Sequence, residues 1–154
     1  MSTTGRTTKP LDVPIVPVKL KLAALWTATM FLFAYGDIFT MYRSKTLEDL
    51  SAGKLAGFHI TQAFLMAISV YVAIPSVMIF LSLALPPAIN RWANITFGGV
   101  YAVTIALSAI GESWAYFIFL SVVEVALVLL IVWHAWTWPG RTQERTGQTS
   151  RPGA

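Results

Sequence analysis

The chain has 154 residues, 56% of them hydrophobic and 12% charged, with a formal net charge of +4 and no cysteine. Soluble domains carry nearer a quarter charged residues, and the mean hydropathy of +0.65 points to one compact domain in a membrane, with no second domain. Without cysteine there is no disulfide framework, thiolate nucleophile or Cys-ligated metal centre. The basic excess lies largely in the tails, as Arg6, Lys9, Lys19 and Lys21 before the first apolar block and Arg141, Arg145 and Arg151 after the last. That placement suits membrane orientation and contact with anionic headgroups, not nucleic-acid binding.

In chain order, the N-terminal tail, residues 1–18, reads as disordered. Residues 19–139 read as an all-α membrane domain, a four-transmembrane-helix bundle with antiparallel up-down topology and helices at 20–42, 58–85, 92–110 and 114–138. Each block reaches about 20 residues, enough to cross a hydrocarbon core of about 30 Å at 1.5 Å per residue. After the first helix, Thr46 with Asp49 resembles a capping pair, Leu47 and Leu50 share a face, and Gly53 can end a turn. A short helix lying at the membrane surface is expected there. Pro86-Pro87 stops the second long helix and Asn90-Arg91 opens the third, while Gly111-Glu112-Ser113 makes a tight reversal before the fourth. Pro75 is expected to kink the second long helix and free a carbonyl that Ser76 or a neighbour satisfies. Residues 140–154 read as a second disordered tail. Eight Lys and Arg lie in the tails and second loop, against three in the first and third loops. Both termini are therefore expected in the cytoplasm.

Polar groups at membrane depth need explaining. Glu124 sits midway along an otherwise uncharged run, where an ionisable group costs roughly 2.5–3.5 kcal/mol on insertion scales. Asp37 follows Tyr35-Gly36 near the outer end of the first helix, and His59 and Gln62 are expected in the first turns of the next. These groups suggest a polar cleft opening outward, with Asp37, Glu124 and His59 as candidate acid–base residues. Tyr35, Gln62, Tyr101, Trp114 and Tyr116 are candidate substrate contacts. By helical rise Asp37 and Glu124 differ in depth by about 10 Å, so a ligand would occupy the space between them. The bland alternatives are an ion pair of Asp37 with Arg43, or a hydrogen bond to His59, and an interhelical hydrogen bond from Glu124 to Tyr101 or Thr104. With only His59 and His134, in different blocks, neither a metal site nor a bis-His haem is expected. No cofactor is predicted.

The phrases Tyr35-Gly36-Asp37, Ile74-Pro75-Ser76-Val77-Met78, Asn90-Arg91-Trp92-Ala93-Asn94, Trp114-Ala115-Tyr116, Val123-Glu124 and Trp133-His134-Ala135-Trp136-Thr137-Trp138-Pro139 resemble a family of small bacterial four-span membrane proteins known as a domain of unknown function. The layout is also similar to DoxX-type four-helix membrane proteins. The resemblance implies the four-span topology and a bacterial inner membrane, and it carries no activity.

Three functions stay open. The first is a binding or accessory protein, alone or within a membrane complex, with an outward-facing polar cleft. The second is a membrane enzyme that isomerises or cyclises a lipophilic substrate by acid–base chemistry. The third is a homodimeric proton-coupled exporter of small molecules, with Glu124 as carrier. The expected partners are the lipid bilayer, a lipophilic small molecule, and a second copy or membrane complex.

Overall fold

Pro17, with no N–H to donate, opens the first helix; its carbonyl accepts from the amides of Leu20 and Lys21 at 3.0 and 3.2 Å. A computed structural model describes residues 16–138 of the chain. It is all-helical apart from one small hairpin: α1 (Val18–Met41), α2 (Ser44–Ser51), β1 (Lys54–Leu55), β2 (Phe58–His59), α3 (Gln62–Ala84), α4 (Pro87–Ser108) and α5 (Ala115–Trp136). The expected disordered tails fall almost wholly outside the described residues.

Helices α1, α3 and α5 are long and apolar enough to cross a membrane. Helix α4 has 22 residues, but Asn90, Arg91 and Asn94 in its first turns make it more polar. It starts at Pro87, ahead of the Asn90-Arg91 boundary expected for it. A proline in the first turn loses no intrahelical hydrogen bond, so it begins a helix as readily as it ends one. Helix α2 also starts before the predicted capping pair: Arg43 is its N-cap, with no side-chain cap bond, and Thr46 lies within the helix.

The hairpin corrects a second boundary. His59 belongs to β2, paired with Lys54, and is exposed; the first turn of α3 begins at Gln62 behind the Thr61 cap, whose hydroxyl accepts from the Phe64 amide. Ala56 and Gly57 both have positive φ, +50° and +83°, as a two-residue turn between right-twisted strands demands.

The helices pack on periodic stripes. Ser121, Glu124, Val128, Ile131 and Ala135 are the buried positions of α5, and Asn90, Asn94, Gly98, Tyr101 and Ile105 those of α4, each recurring every three or four residues. They meet Leu22 and Trp26 of α1 and Met78 of α3 in one core. Helix α3 lies against α1, α1 against α5 and α5 against α4, while α3 touches α4 more sparsely.

Two polar joints hold this arrangement. At one end, the Trp26 indole donates to the Asn94 side-chain oxygen at 2.8 Å, and the Ser82 hydroxyl donates to the same oxygen at 3.3 Å. The Asn94 amide donates to the Asn90 side chain and carbonyl, and the Asn90 amide donates to the Ser82 carbonyl. Lys19 adds its ammonium to the carbonyls of Leu83 and Leu85, which the end of α3 leaves without intrahelical donors. The second joint follows from Pro75. Lacking an N–H, Pro75 strands the Tyr71 carbonyl four residues back, and the Tyr101 hydroxyl of α4 donates to it. Ser76, expected in that role, donates to Val72 instead.

Candidate functional site

Helical register brings the two membrane-depth carboxylates to one place. Phe33, Gly36 and Asp37 share a face of α1; Phe117, Leu120, Ser121 and Glu124 share one of α5. With Ile68, Tyr71 and Val72 of α3 and Thr104, Ile105 and Ser108 of α4, they enclose a largely apolar cavity of about 470 Å³. Glu124 is 7% exposed and forms the floor; Asp37 is exposed and stands nearer the mouth. Ala56, at the hairpin turn, completes the lining.

Neither carboxylate has a hydrogen-bond or ion-pair partner among the described residues. The partners expected for them are engaged elsewhere. Arg43 pairs with Glu112 at 3.0 Å, not with Asp37, and its Nε donates to the Tyr116 hydroxyl at 2.6 Å. The guanidinium lies 5.0, 4.9 and 5.4 Å from the ring centroids of Trp114, Tyr116 and Phe117, a cage that holds a cation by ring quadrupoles as well as by charge. Thr104, expected near Glu124, shares a 2.8 Å hydrogen bond with the Tyr71 hydroxyl and donates to the Tyr101 carbonyl. Tyr101 is 1% exposed and is spent on the Pro75 joint.

The Arg43–Glu112 pair borders a second cavity of about 500 Å³, toward α2, which shares Ala56, Ser108 and Phe117 with the first. Partial burial pulls the Glu112 carboxyl upward. Hydrogen bonds from Arg43 and from the Trp114 and Ser113 amides outweigh it and hold the group below the usual carboxylate range.

Of the predicted site residues, Asp37 and Glu124 come together. Trp114 lines the second cavity, and Tyr116 packs beside it, sharing a 3.2 Å hydrogen bond with Thr40. Tyr35 is exposed and packs on Phe39. His59 and Gln62 are exposed and line neither cavity. Sequence reasoning missed Phe33, Tyr71, Ser108, Phe117 and Ser121 as lining residues. Counting back from Glu124 in steps of three and four finds Ser121 and Phe117, and the same step from Asp37 finds Phe33. Among the described residues no cluster of three His, Cys, Asp or Glu is placed to hold a metal.

Helices able to cross a bilayer, with charged groups inside them and a cavity between them, make this an all-helical integral membrane protein. The chain belongs to a family of unknown function (DUF6326), whose model matches residues 18–145. No curated protein and no solved structure matches it.

Proposed function

We propose that this chain is a four-span membrane protein that binds a lipophilic small molecule in the cavity between its helices. The observation that carries this reading is that Asp37 and Glu124, from two different helices, line one mostly apolar cavity while pairing with no described residue. Carboxylates kept at membrane depth are otherwise paired, and a cavity of this size with a few polar groups in apolar walls has the character of a small-molecule site. Glu124 lies inside the four helices of a single chain, which favours a pocket within the protomer over a carrier site shared by two.

The fourth span is α4. Its polar Asn90 and Asn94 are buried, while Ile89, Trp92, Val100, Val103 and Leu107 are exposed, so the side it presents outward is apolar and suits lipid. With the basic residues concentrated in the tails, both termini face the cytoplasm of a bacterial inner membrane, and the cavity opens outward. The chain has no cysteine, so single cysteines report topology without background. An impermeant maleimide applied to intact cells is expected to label Ser113→Cys and to leave Ser2→Cys unlabelled until the cells are opened. Labelling of both in intact cells would sink this orientation.

Ligand binding is tested by purifying the wild type, Asp37→Asn and Glu124→Gln in mild detergent and comparing extracted small molecules by mass spectrometry. The expected result is a lipophilic species bound to the wild type and reduced at least tenfold in both folded variants. An unchanged set of extracted molecules in all three proteins would overturn the reading.

An enzyme performing acid–base chemistry is the second reading. It is favoured by the spacing of the carboxylates, at floor and mouth of one cavity, where one could deliver a proton and the other remove one across a bound molecule.

A further inference from the structure

The hydrogen-bonding capacity left in the inner cavity is lopsided. Its walls contain four hydroxyls, those of Tyr71, Thr104, Ser108 and Ser121. Thr104 donates to the Tyr101 carbonyl and Ser108 to the Ile105 carbonyl. With the Thr104 hydrogen committed, the Tyr71 hydroxyl donates to the Thr104 oxygen. Of these four, only Ser121 donates its hydroxyl hydrogen to no described residue. Against that single donor stand the four oxygens of two carboxylates, which when ionised only accept and need a donor or a cation opposite them.

The charge is lopsided as well. Among the described residues, Asp37 and Glu124 are the only acidic or basic side chains in the lining. Arg43, the nearest candidate counter-charge by sequence, lines the other cavity, paired with Glu112 and caged by three rings. Glu124 is more than nine-tenths buried, faces the cavity and has no partner among the described residues. Two like charges in a poorly hydrated space repel each other, and each lacks the compensation that keeps a charge at membrane depth. The rings of Phe33, Tyr71 and Phe117 stand in the same walls, and ring faces attract a cation but not an acceptor oxygen.

We propose that the molecule bound here is a lipophilic amine carried as its ammonium ion, its charge between Asp37 and Glu124 and its apolar body against the aromatic walls. This rests on the cavity being a ligand site and narrows the class of ligand. The ammonium supplies the missing counter-charge, its N–H groups supply the missing donors, and its hydrocarbon displaces water from the apolar surface. An anionic amphiphile meets two carboxylates and one spare donor, so it is excluded on charge. A neutral alcohol fills the space but leaves both acids unbalanced.

The test uses the full chain in phosphatidylcholine nanodiscs, with empty discs as the blank. Equilibrium dialysis compares decylammonium, decanol and decanoate, which share a chain and differ in head. An alkylammonium stays charged at neutral pH, having the chemistry of a lysine side chain. Decylammonium is expected to bind at least tenfold more tightly than decanol, and decanoate no more than the blank. In Glu124→Gln and Asp37→Asn the amine's advantage over the alcohol is expected to fall at least fivefold, while decanol binding is kept. Equal binding of amine and alcohol to the wild type would overturn the amine class and leave the cavity as a ligand site. Tighter binding of decanoate would do the same. If none of the three exceeds the blank, the ligand-site reading itself fails. The wild-type series decides these outcomes even where a variant does not fold.

Discussion

Asn94→Leu is expected to lower the stability of the folded chain by about 2 kcal/mol, although leucine is close in size and suits a membrane interior. The side chain of Asn94 is the hub of the joint between α1, α3 and α4, accepting from Trp26 and Ser82 and donating to Asn90. Leucine leaves the Trp26 N–H and the Asn90 side-chain oxygen buried without partners. Orphaning a buried polar group costs roughly 1–3 kcal/mol in soluble proteins, whereas interhelical hydrogen bonds in membranes average about 0.6 kcal/mol. Two orphaned groups at about 1 kcal/mol each give the expected value; the Ser82 hydroxyl can turn to a backbone carbonyl of its own helix. Reversible unfolding in mixed micelles measures the difference. A change below about 0.5 kcal/mol would mean that the joint follows from packing and does not cause it. Asn94→Asp is expected to be worse, since it also removes the donor to Asn90 and introduces a charge at the core.

Gly98→Val is expected to prevent α4 and α5 from packing, while Gly99→Ala, one residue on, leaves stability unchanged or raises it. A methyl group on Gly98 would sit 2.8 Å from the Val132 Cγ2 and 3.4 Å from the Val128 carbonyl oxygen. Val132 is branched at Cβ and cannot swing clear easily in a helix, and the carbonyl is fixed in the backbone of α5. Even alanine at 98 therefore costs about 1–3 kcal/mol of overpacking, and valine adds two more methyl groups to the same clash. A methyl group on Gly99 would meet no described residue beyond its own stretch of helix within 4 Å, so the greater helix propensity of alanine, about 1 kcal/mol, meets no opposing contact. Helical content and monodispersity of the purified variants are the readouts. A well-folded Gly98→Val protein would show that the two helices have room to separate.

Much of this architecture is legible in the sequence, because bilayer-length apolar runs interrupted by Pro, Gly and charge have few other readings. Asp37 and Glu124 line one cavity, and counting residues along each helix gives their depths but not the way they face. Facing is harder to read. Arg43 has Asp37 six residues behind it and Glu112 far along the chain, and it pairs with the distant one. Its choice is set by the close approach of the α4–α5 reversal to the start of α2, a tertiary fact. The roles of tyrosines are hidden for a similar reason. Tyr101 reads as a ligand contact at the depth of Glu124 until Pro75 is followed back four residues to the carbonyl it strands. His59 reads as part of α3 because hydrophobic Phe58 and Ile60 extend its apolar block, whereas the turn at Ala56-Gly57 places it in a hairpin.

The joint built on Trp26, Ser82, Asn90 and Asn94 lies toward the opposite end of the helices from Asp37, with Glu124 midway along α5. That separation bears on how such a protein evolves. The residues that secure the helices to one another at that joint are not those that shape the cavity, so substitutions at Phe33, Ile68, Val72 or Leu120 can alter the cavity's contour without breaking the joint. Sequences built on this plan are free to drift at one end while being held at the other, and a single scaffold can give rise to relatives with differently shaped interiors.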